Sequence, residues 1–166
     1  MVIKMAFEDL IKIALEESIS GLRKGDKKEE VKAIQNYLKN AKKIFVPNKN
    51  NTKVKVINEV LRNFGLNEAE HFYMNTNTAD FNRIPAISKA IYALDQLEAD
   101  LIIARGRLGL PGSGSLLVFI DDKGRILTAG SSPSHIIHQK SLEEAVIDET
   151  TQALKRIGLN ENTNSV

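Results

Sequence analysis

The chain contains no cysteine. This absence excludes disulfide bridges, thiolate zinc sites and a cysteine nucleophile, and it fits a reducing compartment. An excess of either charge is also lacking, because 23 basic residues stand against 21 acidic ones for a net charge of +2. So balanced a composition does not predict a general nucleic-acid or membrane surface, and any anion site must be local.

Long hydrophobic runs are missing as well. The opening stretch, MVIKMAFEDLIKIALEE, carries charged residues inside its apolar pattern, so we expect neither a signal peptide nor a membrane span. With 166 residues, 42% of them hydrophobic, the chain is long enough to bury one core. We therefore expect a cytoplasmic protein with one domain over residues 1–159 and a frayed polar tail over residues 160–166.

The familiar nucleotide and metal motifs are absent from the sequence. No Walker A pattern occurs, Gly112-Ser-Gly114 lacks the third glycine of a dinucleotide fingerprint, and no H-E-x-x-H spacing predicts a tightly held zinc. Any nucleotide site must therefore be found from the order of the helices and strands and from the residues of the loops between them.

Apolar residues in the first half of the chain recur at helical and strand spacings in turn. Two amphipathic helices are predicted within residues 1–40, packing on a sheet. Residues 44–46 form a short β-rich run that leads through a polar turn into another helix. A second strand near residues 71–74 precedes a helix with Pro85 in its first turn.

The second half continues this alternation. Residues 100–104 have the continuous apolar character of a strand buried on both faces. Two further strands should form a hairpin around Gly124, and a last helix should begin at the Ser141-x-x-Glu144 capping box and end at Gly158. The sequence predicts an α/β fold, with a mixed β-sheet flanked by helices.

The polar turn P-N-K-N-N-T-K is the first candidate site. In an open α/β sheet, ligands gather beyond the carboxyl ends of the strands, where helix starts present unpaired N–H groups. Asn50, Lys49, Lys53 and Lys55 lie in or just after this turn and are candidates to hold phosphates. The alternative is that Asn50 or Asn51 merely caps the helix and the lysines are solvated, and the turn taken alone favours it, since caps are commoner than anion sites.

The stretch RGRLGLPGSGS, residues 105–115, is the second candidate. Its glycines let a backbone approach a ligand closely, and Arg105 and Arg107 can grip phosphate or carboxylate through paired donors. The alternative is an inert turn leading into the hairpin. We favour a functional loop, since both arginines follow the most buried strand.

A third cluster, Gly130-Ser-Ser-Pro-Ser-His135, places hydroxyls and an imidazole before the last helix. Ser134 and His135 are adjacent, which does not suit a nucleophile and its base, so we expect ligand recognition there. Asp100 and Asp121 are possible contacts for a magnesium ion that arrives with nucleotide, although turn and surface roles are the commoner fate of such aspartates.

Two resemblances bear on function. The stretch IFVPNKNNTKVKVINEVLRNFG resembles the opening strand, turn and helix of the inosine-triphosphate pyrophosphatase fold, with Asn50 and Lys53 on the asparagine and lysine of its T-x-N-x-x-K pattern. Ser134-His135 is similar to the S-H-R base-contacting motif of that fold, but Ile136 replaces the arginine. This resemblance implies a pyrophosphatase-like fold.

The same comparison argues against hydrolysis. The pyrophosphatases carry an acidic D-S-G after the central strand to activate water and bind metal, whereas this chain has Ala104-Arg105-Gly106-Arg107. A basic stretch cannot activate water in that way, but it can hold pyrophosphate or an acidic acceptor. Nucleotidyl transfer, with attack of a hydroxyl on the α-phosphate, is the reaction we expect.

Nearly the whole chain, above all ARGRLGLPGSGSLLVFIDDKGRILTAGSSPSHIIH, resembles the HcgB family of methanogenic archaea. These are guanylyltransferases of iron-guanylylpyridinol (Fe-hydrogenase) cofactor biosynthesis. The resemblance implies a homodimer that couples GTP, with Mg²⁺, to the hydroxyl of a pyridinol bearing a carboxymethyl group, and that releases pyrophosphate. It leaves the general base unassigned.

The resemblance also implies roles for the candidate residues. Arg105 and Arg107 would line the transfer site as catalytic groups, and Ser132, Ser134 and His135 would lie near the base or the acceptor. The phosphate-binding residues would be Asn50, Lys53, Lys55, Gly112, Ser113, Gly114 and Ser115.

Two other functions compete with this one. A nucleoside-triphosphate pyrophosphatase would release nucleoside monophosphate from nucleotide alone. A non-catalytic nucleotide-binding or dimerisation module would use the first two helices as a partner surface and give residues 105–115 no catalytic duty.

Overall fold

A computed structural model describes residues 7–76, 82–134 and 139–162. Within these ranges the chain forms five helices and five strands. The helices are α1 (Glu8–Ile19), α2 (Lys28–Asn40), α3 (Thr52–Asn63), α4 (Pro85–Gln96) and α5 (Leu142–Arg156). The strands are β1 (Ile44–Asn48), β2 (Glu70–Tyr73), β3 (Leu101–Arg107), β4 (Gly114–Asp121) and β5 (Ile126–Pro133).

The five strands make one mixed sheet in the order β2-β1-β3-β4-β5. β1 runs parallel to β2 and β3, while β4 is antiparallel to both β3 and β5. The predicted mixed α/β fold is confirmed. Because of these directions, the carboxyl ends of β1, β2, β3 and β5 share one edge with the start of β4, and we call this the carboxyl edge.

Helices cover both faces of the sheet. On one face, Leu101 and Ile103 of β3 belong to a core that includes α3 and α5 residues such as Ile57 and Leu154. On the other face, Ile102 and Ala104 belong to a second core with alanines of α4. Alternate residues of β3 thus face opposite cores, which confirms the prediction of a strand buried on both faces.

Local signals in the sequence correctly predicted several turns and caps. Gly124 lies in the β4–β5 turn with φ +80°, and its N–H donates to Asp121 O at 3.1 Å. Ser141 caps α5 by accepting from Glu144 N at 3.1 Å, and Gly158 follows the helix with φ +85°. Each glycine occupies the left-handed region that a side chain disfavours.

The two N-terminal helices differ in how deeply they pack. α2 buries Tyr37 and Leu38, whereas α1 buries none of its residues. Phe7, just before α1, stacks on Tyr37 with 5.3 Å between the ring centroids. Along and just after α1, large apolar side chains stay exposed, including Ile19 and Leu22.

None of the described helices combines the length and the apolar character that a membrane crossing requires.

Candidate functional site

The order in which the chain adds strands to the sheet reverses between β1 and β3, which are neighbours in the sheet. From β1 the chain passes through α3 to β2 on one side, and from β2 it returns through α4 to β3 on the other side. α3 and α4 pack on opposite faces of the sheet. A crevice opens at such a switch point, and ligands of open α/β sheets bind there.

Pro47 marks the place where β1 and β3 separate. Their pairing extends only from Ile44 opposite Leu101 to Phe45 opposite Ile102. The carbonyl of Asn48 accepts from Met74 N at 3.2 Å, on the side of β2. Because backbone groups alternate along a strand, the nitrogen of Pro47 turns toward β3, and proline has no N–H with which to continue that ladder.

A small cavity lies between β1 and β3 where the two strands separate. It has about 10 Å³ of room for the centre of a water-sized molecule, which suits one water or one group of similar size. We call it the Asn48 pocket. Its lining residues are Val46, Pro47, Asn48, Lys53, Ile57, Lys89, Ile103 and Arg105. The structure therefore brings together Lys53 and Arg105, two residues singled out in the sequence, at one end of one sheet.

Asn48 has an unsatisfied buried acceptor. The residue is 7% exposed, and its Oδ1 makes no hydrogen bond to any described residue. Asn58, by comparison, uses both ends of its amide, since Oδ1 accepts from Ala69 N at 2.7 Å and Nδ2 donates to Ala69 O at 3.0 Å. A buried carbonyl without a donor costs free energy, so a group that donates a hydrogen bond to it inside the pocket would be stabilised there.

Lys89 contributes a second buried polar group. It lies on the inner face of α4, 7% exposed, and its Nζ donates to the backbone carbonyl of Arg105 at 3.0 Å. Lysine is rarely buried to this degree without partners. Lys89 thus fastens α4 to the carboxyl end of β3 and places a cation beside Asn48 and Lys53.

Arg105 is held in a buried ion pair. Its Nε donates to Glu149 Oε1 at 2.7 Å and its Nη2 donates to Oε2 at 3.0 Å, while Glu149 itself is fully buried. Ser132 Oγ donates to the same carboxylate. We expected Arg105 to grip phosphate or carboxylate through paired donors, and the structure pairs it with the carboxylate of Glu149. Two of its donors are therefore committed to α5, and its charge is balanced locally.

Arg107 braces the neighbouring loops. Its Nε donates to Gly109 O at 2.9 Å and its Nη2 donates to Asn82 O at 3.1 Å. Arg83 donates to the same Gly109 carbonyl at 3.2 Å. Arg107 therefore ties the tip of the β3–β4 connection to the segment that precedes α4, at the carboxyl edge.

The glycine-rich stretch, which we expected to be a loop over residues 105–115, is a β-hairpin. β3 continues through Arg107, which pairs with Ser115 of β4. The tip closes with Ser113 N donating to Leu110 O at 3.0 Å, and Gly112 there has φ +83°. Pro111 followed by Gly112 suits the central positions of a type II turn.

Close packing explains two more of its glycines. A Cβ on Gly106 would lie 2.5 Å from Ala86 N at the start of α4, and one on Gly114 would lie 2.1 Å from Ser132 O. Both positions need glycine because another backbone passes so near. The glycines therefore have structural reasons of their own, and they are not by themselves a sign of ligand binding.

Comparison with known families decides the identity of the chain. Residues 7–159 match the family described as FeGP cofactor biosynthesis protein HcgB, guanylyltransferase. This chain belongs to the HcgB family. The match covers every described helix and strand, so the resemblance found in the sequence is confirmed.

In this HcgB-family chain the polar turn after β1 is mostly exposed. Asn50 is exposed, and its Oδ1 accepts from Thr52 N at 3.3 Å, which is a weak local contact of the capping kind. Asn51 occupies the N-cap position of α3 without a side-chain cap bond. Lys55 is exposed and, unlike Lys53, does not line the Asn48 pocket.

The serines around the end of β5 differ in how deeply they are buried. Ser132 is buried against Glu149, and Ser115 pairs with Ser132 across the sheet. Ser113 is exposed and bonds within its own turn, with Oγ donating to Leu110 O at 2.6 Å. Ser134 is half-buried. His135 lies outside the described residues.

The two aspartates considered for metal lie at the opposite edge of the sheet. Asp100 precedes β3 and accepts from the N–H groups of Lys42 and Lys43, both at 3.0 Å. Asp121 ends β4, fully buried, and is bonded to Arg125. Neither carboxylate reaches the carboxyl edge. Among the described residues, no group of three or more histidine, aspartate or glutamate side chains could hold a metal ion.

Sequence reasoning missed Asn48, Lys89 and Glu149. The sequence did carry a signal for the last two, because each is a charged residue on an otherwise apolar helix face. Lys89 lies three residues after Ala86 and four before Ala93, and Glu149 lies four after Ala145 and four before Ala153. A charge in such a position must find a partner inside the fold.

Proposed function

We propose that this HcgB-family protein transfers GMP from GTP to the hydroxyl of a pyridinol in FeGP cofactor biosynthesis. The matching family is named a guanylyltransferase. The observation that carries the proposal is the meeting of Lys53, Lys89 and Arg105 in one pocket at the β1–β3 switch point. Cations at the carboxyl edge of an α/β sheet suit a polyphosphate substrate bound along that edge, beside the Asn48 pocket, which itself has room for only one water-sized group.

In the proposed reaction, the oxygen of the acceptor hydroxyl attacks the α-phosphorus of GTP. A new P–O bond forms to the acceptor, the bond from the α-phosphorus to the bridging oxygen breaks, and pyrophosphate leaves; the hydroxyl proton passes to solvent. Mg²⁺ entering with GTP would neutralise charge on the phosphates. Lys53 and the α3 start, which follows Asn50 and Asn51, would hold phosphate oxygens.

The remaining roles extend the same proposal along the carboxyl edge. Arg107, Lys55 and the hairpin residues Gly112 to Ser115 would border the bound nucleotide, and Ser132, Ser134 and His135 would lie toward the base or the acceptor. Arg105 would act mainly by holding the end of β3 in place, because Glu149 occupies two of its donors. Asp100 and Asp121 have no part in this arrangement.

We also propose an inosine-triphosphate-pyrophosphatase-like fold and a cytoplasmic homodimer. The five-stranded mixed sheet with helices on both faces supports that fold. The dimer rests on the family resemblance, and it would give the exposed apolar side chains of α1 a partner.

A direct assay separates this function from its competitors. Protein is incubated with GTP, Mg²⁺ and a carboxymethyl pyridinol, and products are followed by chromatography and mass spectrometry. We expect a guanylylated pyridinol and pyrophosphate in equal amounts, and both should depend on the acceptor. Rapid formation of GMP without acceptor would instead establish a pyrophosphatase, and GTP binding with no turnover of either kind would establish a non-catalytic module.

A further inference from the structure

The polarity of the Asn48 pocket restricts what can occupy it. Asn48 Oδ1 is a buried acceptor without a partner among the described residues. The pocket is also lined by Lys53, Lys89 and Arg105, whose charged ends only donate hydrogen bonds. An occupant must therefore offer a donor to Oδ1 and also tolerate, or accept from, nearby cations.

Most functional groups of a nucleotide fail one of these conditions. An ionised phosphate oxygen accepts from lysine, but it would face the lone pairs of Oδ1. An amino group donates to Oδ1, but it offers nearby cations no lone pair and so meets the second condition less well than a hydroxyl does. A hydroxyl both donates and accepts at a single atom.

The size of the pocket adds a separate restriction. The pocket has about 10 Å³ of room for the centre of a water-sized molecule, and this suits one oxygen atom with its hydrogen but no ring or phosphoryl group. Pro47 keeps the space open, because it ends the hydrogen-bond ladder between β1 and β3.

We infer that Asn48 is a substrate-binding residue that accepts a hydrogen bond from a hydroxyl group of a substrate inserted between β1 and β3. This inference rests on the proposed function, which supplies two sources of such a hydroxyl: the sugar of GTP and the pyridinol acceptor. Both present the same chemistry to Oδ1. The two sources can be told apart by experiment, because a substitution of Asn48 weakens the binding of only the substrate that supplies the hydroxyl.

The first arm of the test varies the nucleotide. GTP, 2′-deoxy-GTP and 3′-deoxy-GTP are compared as substrates of the wild-type protein and of Asn48→Leu, which removes the acceptor at similar volume. If the sugar is the source, one deoxynucleotide should show kcat/KM about tenfold below GTP in the wild type, and Asn48→Leu should bring that ratio near one.

The second arm varies the acceptor. Calorimetry compares the binding of the pyridinol and of an analogue lacking its hydroxyl. If the pyridinol is the source, Asn48→Leu should weaken pyridinol binding about tenfold, leave the analogue unchanged and leave GTP affinity unchanged. A loss in one arm thus identifies the source.

Asn48→Asp tests the polarity. A carboxylate still accepts from a hydroxyl and sits among cations, so this variant should stay closer to the wild type than Asn48→Leu. A greater loss with aspartate than with leucine would mean that the pocket takes an anionic oxygen, and it would overturn the inference. Asn40→Leu and Asn40→Asp are matched controls, since Asn40 is exposed at the end of α2.

The inference is overturned if the pocket holds only a resident water. In that case Asn48→Leu would keep wild-type affinity and turnover with every substrate, and circular dichroism would show that it is folded. The wild-type arm with deoxynucleotides needs no variant and stands even if Asn48→Leu fails to fold. A wild-type protein that neither binds GTP nor turns it over would contradict the proposed function itself, and this inference with it.

Discussion

Arg105 and Glu149 join β3 to α5 through two hydrogen bonds, of 2.7 Å and 3.0 Å. The Glu149 carboxylate is fully buried. β4 lies between β3 and β5 in the sheet, so this pair connects the central strand with the helix that follows the edge strand. Ser132 adds a contact from β5. The candidate site is thereby anchored to the far half of the molecule.

Glu149→Ala should lower the free energy of unfolding by about 3 kcal/mol or more, because it leaves the Arg105 charge buried without its partner. Urea unfolding followed by circular dichroism measures the change. Asp148→Ala is the control, since its ion pair with Lys140 is largely exposed, and it should change the stability by less than about 1 kcal/mol. Equal effects of the two variants would contradict a structural role for the buried pair.

Lys53→Ala should lower kcat/KM for GTP by about tenfold, which corresponds to about 1.4 kcal/mol of transition-state stabilisation. Lys53 lines the Asn48 pocket, whereas Lys55 is exposed and does not. Lys55→Ala therefore removes the same charge from the same helix and should have a smaller effect. Steady-state kinetics at limiting GTP checks both. If Lys55→Ala is the more damaging variant, phosphate binds on the outer side of the α3 turn.

Arg107→Ala should also reduce kcat/KM, by at least about tenfold, because it removes charged hydrogen bonds at the carboxyl edge. Arg107 holds Gly109 and Asn82 together. The matched variant is Arg83→Ala, which loses the bond to Gly109 from the neighbouring segment. Kinetics with GTP and acceptor varied separately show which substrate is affected. Unchanged turnover in Arg107→Ala would show that the hairpin at residues 105–115 has no part in catalysis.

Gly114→Ala should destabilise the fold by about 2 kcal/mol, because the new Cβ meets the backbone of β5 in a strained conformation. Gly114 has φ +136°, and a Cβ there would lie 2.1 Å from Ser132 O. A Cβ added at Gly109, in the same hairpin, would meet no described atom within 4 Å, so Gly109→Ala should change stability by less than about 0.5 kcal/mol. Thermal unfolding of the two variants provides the measurement.

The junction between α1 and α2 should weaken in acid. Hydrogen bonds from Arg23 lower the pKa of Glu30 from 4.5 to about 2, with help from the Lys27 N–H. A lowered folded-state pKa stabilises the protein above the unfolded value, and that contribution is lost as pH falls from about 4.5 to about 2. Glu30→Gln should therefore be less stable than the wild type at neutral pH, and the difference should shrink across this window.

Urea unfolding of the wild type and of Glu30→Gln at several pH values measures that difference. Glu29→Gln is the control, because Glu29 is exposed in the first turn of the same helix. A wild-type advantage that persists unchanged at low pH would show that it does not come from the ionised Glu30 carboxylate and its contact with Arg23.

Periodicity predicted most of the fold because the apolar stripes face two cores. The double-sided burial of residues 101–104 and the turn at Gly124 followed from the sequence alone. The exposure of α1 could not be predicted from the sequence, because an apolar stripe on a helix does not reveal which surface covers it. The hairpin at residues 105–115 resembles a loop in sequence, since arginine and glycine in a strand are unusual and only the pairing with β4 shows the strand to continue.

The candidate site was predicted in part. Lys53 and Arg105 were found because Lys53 follows β1 and Arg105 lies near the carboxyl end of β3, and these two strand ends are neighbours in the sheet. Asn48 was missed because it is the last residue of β1, where it pairs with Tyr73 of β2, and a polar side chain at a strand end looks like the start of a turn. Its unsatisfied oxygen is a property of three-dimensional packing, which no spacing in the sequence reveals.

Pro47 makes the opening between β1 and β3 a preorganised feature. The gap exists because a pyrrolidine ring replaces the N–H that would continue the ladder toward β3. No binding free energy has to go into separating two strands when a substrate arrives, so its contacts contribute more fully to affinity. Since a covalent ring keeps the ladder from continuing, substitutions at neighbouring side chains can change what the pocket binds without letting the two strands pair there.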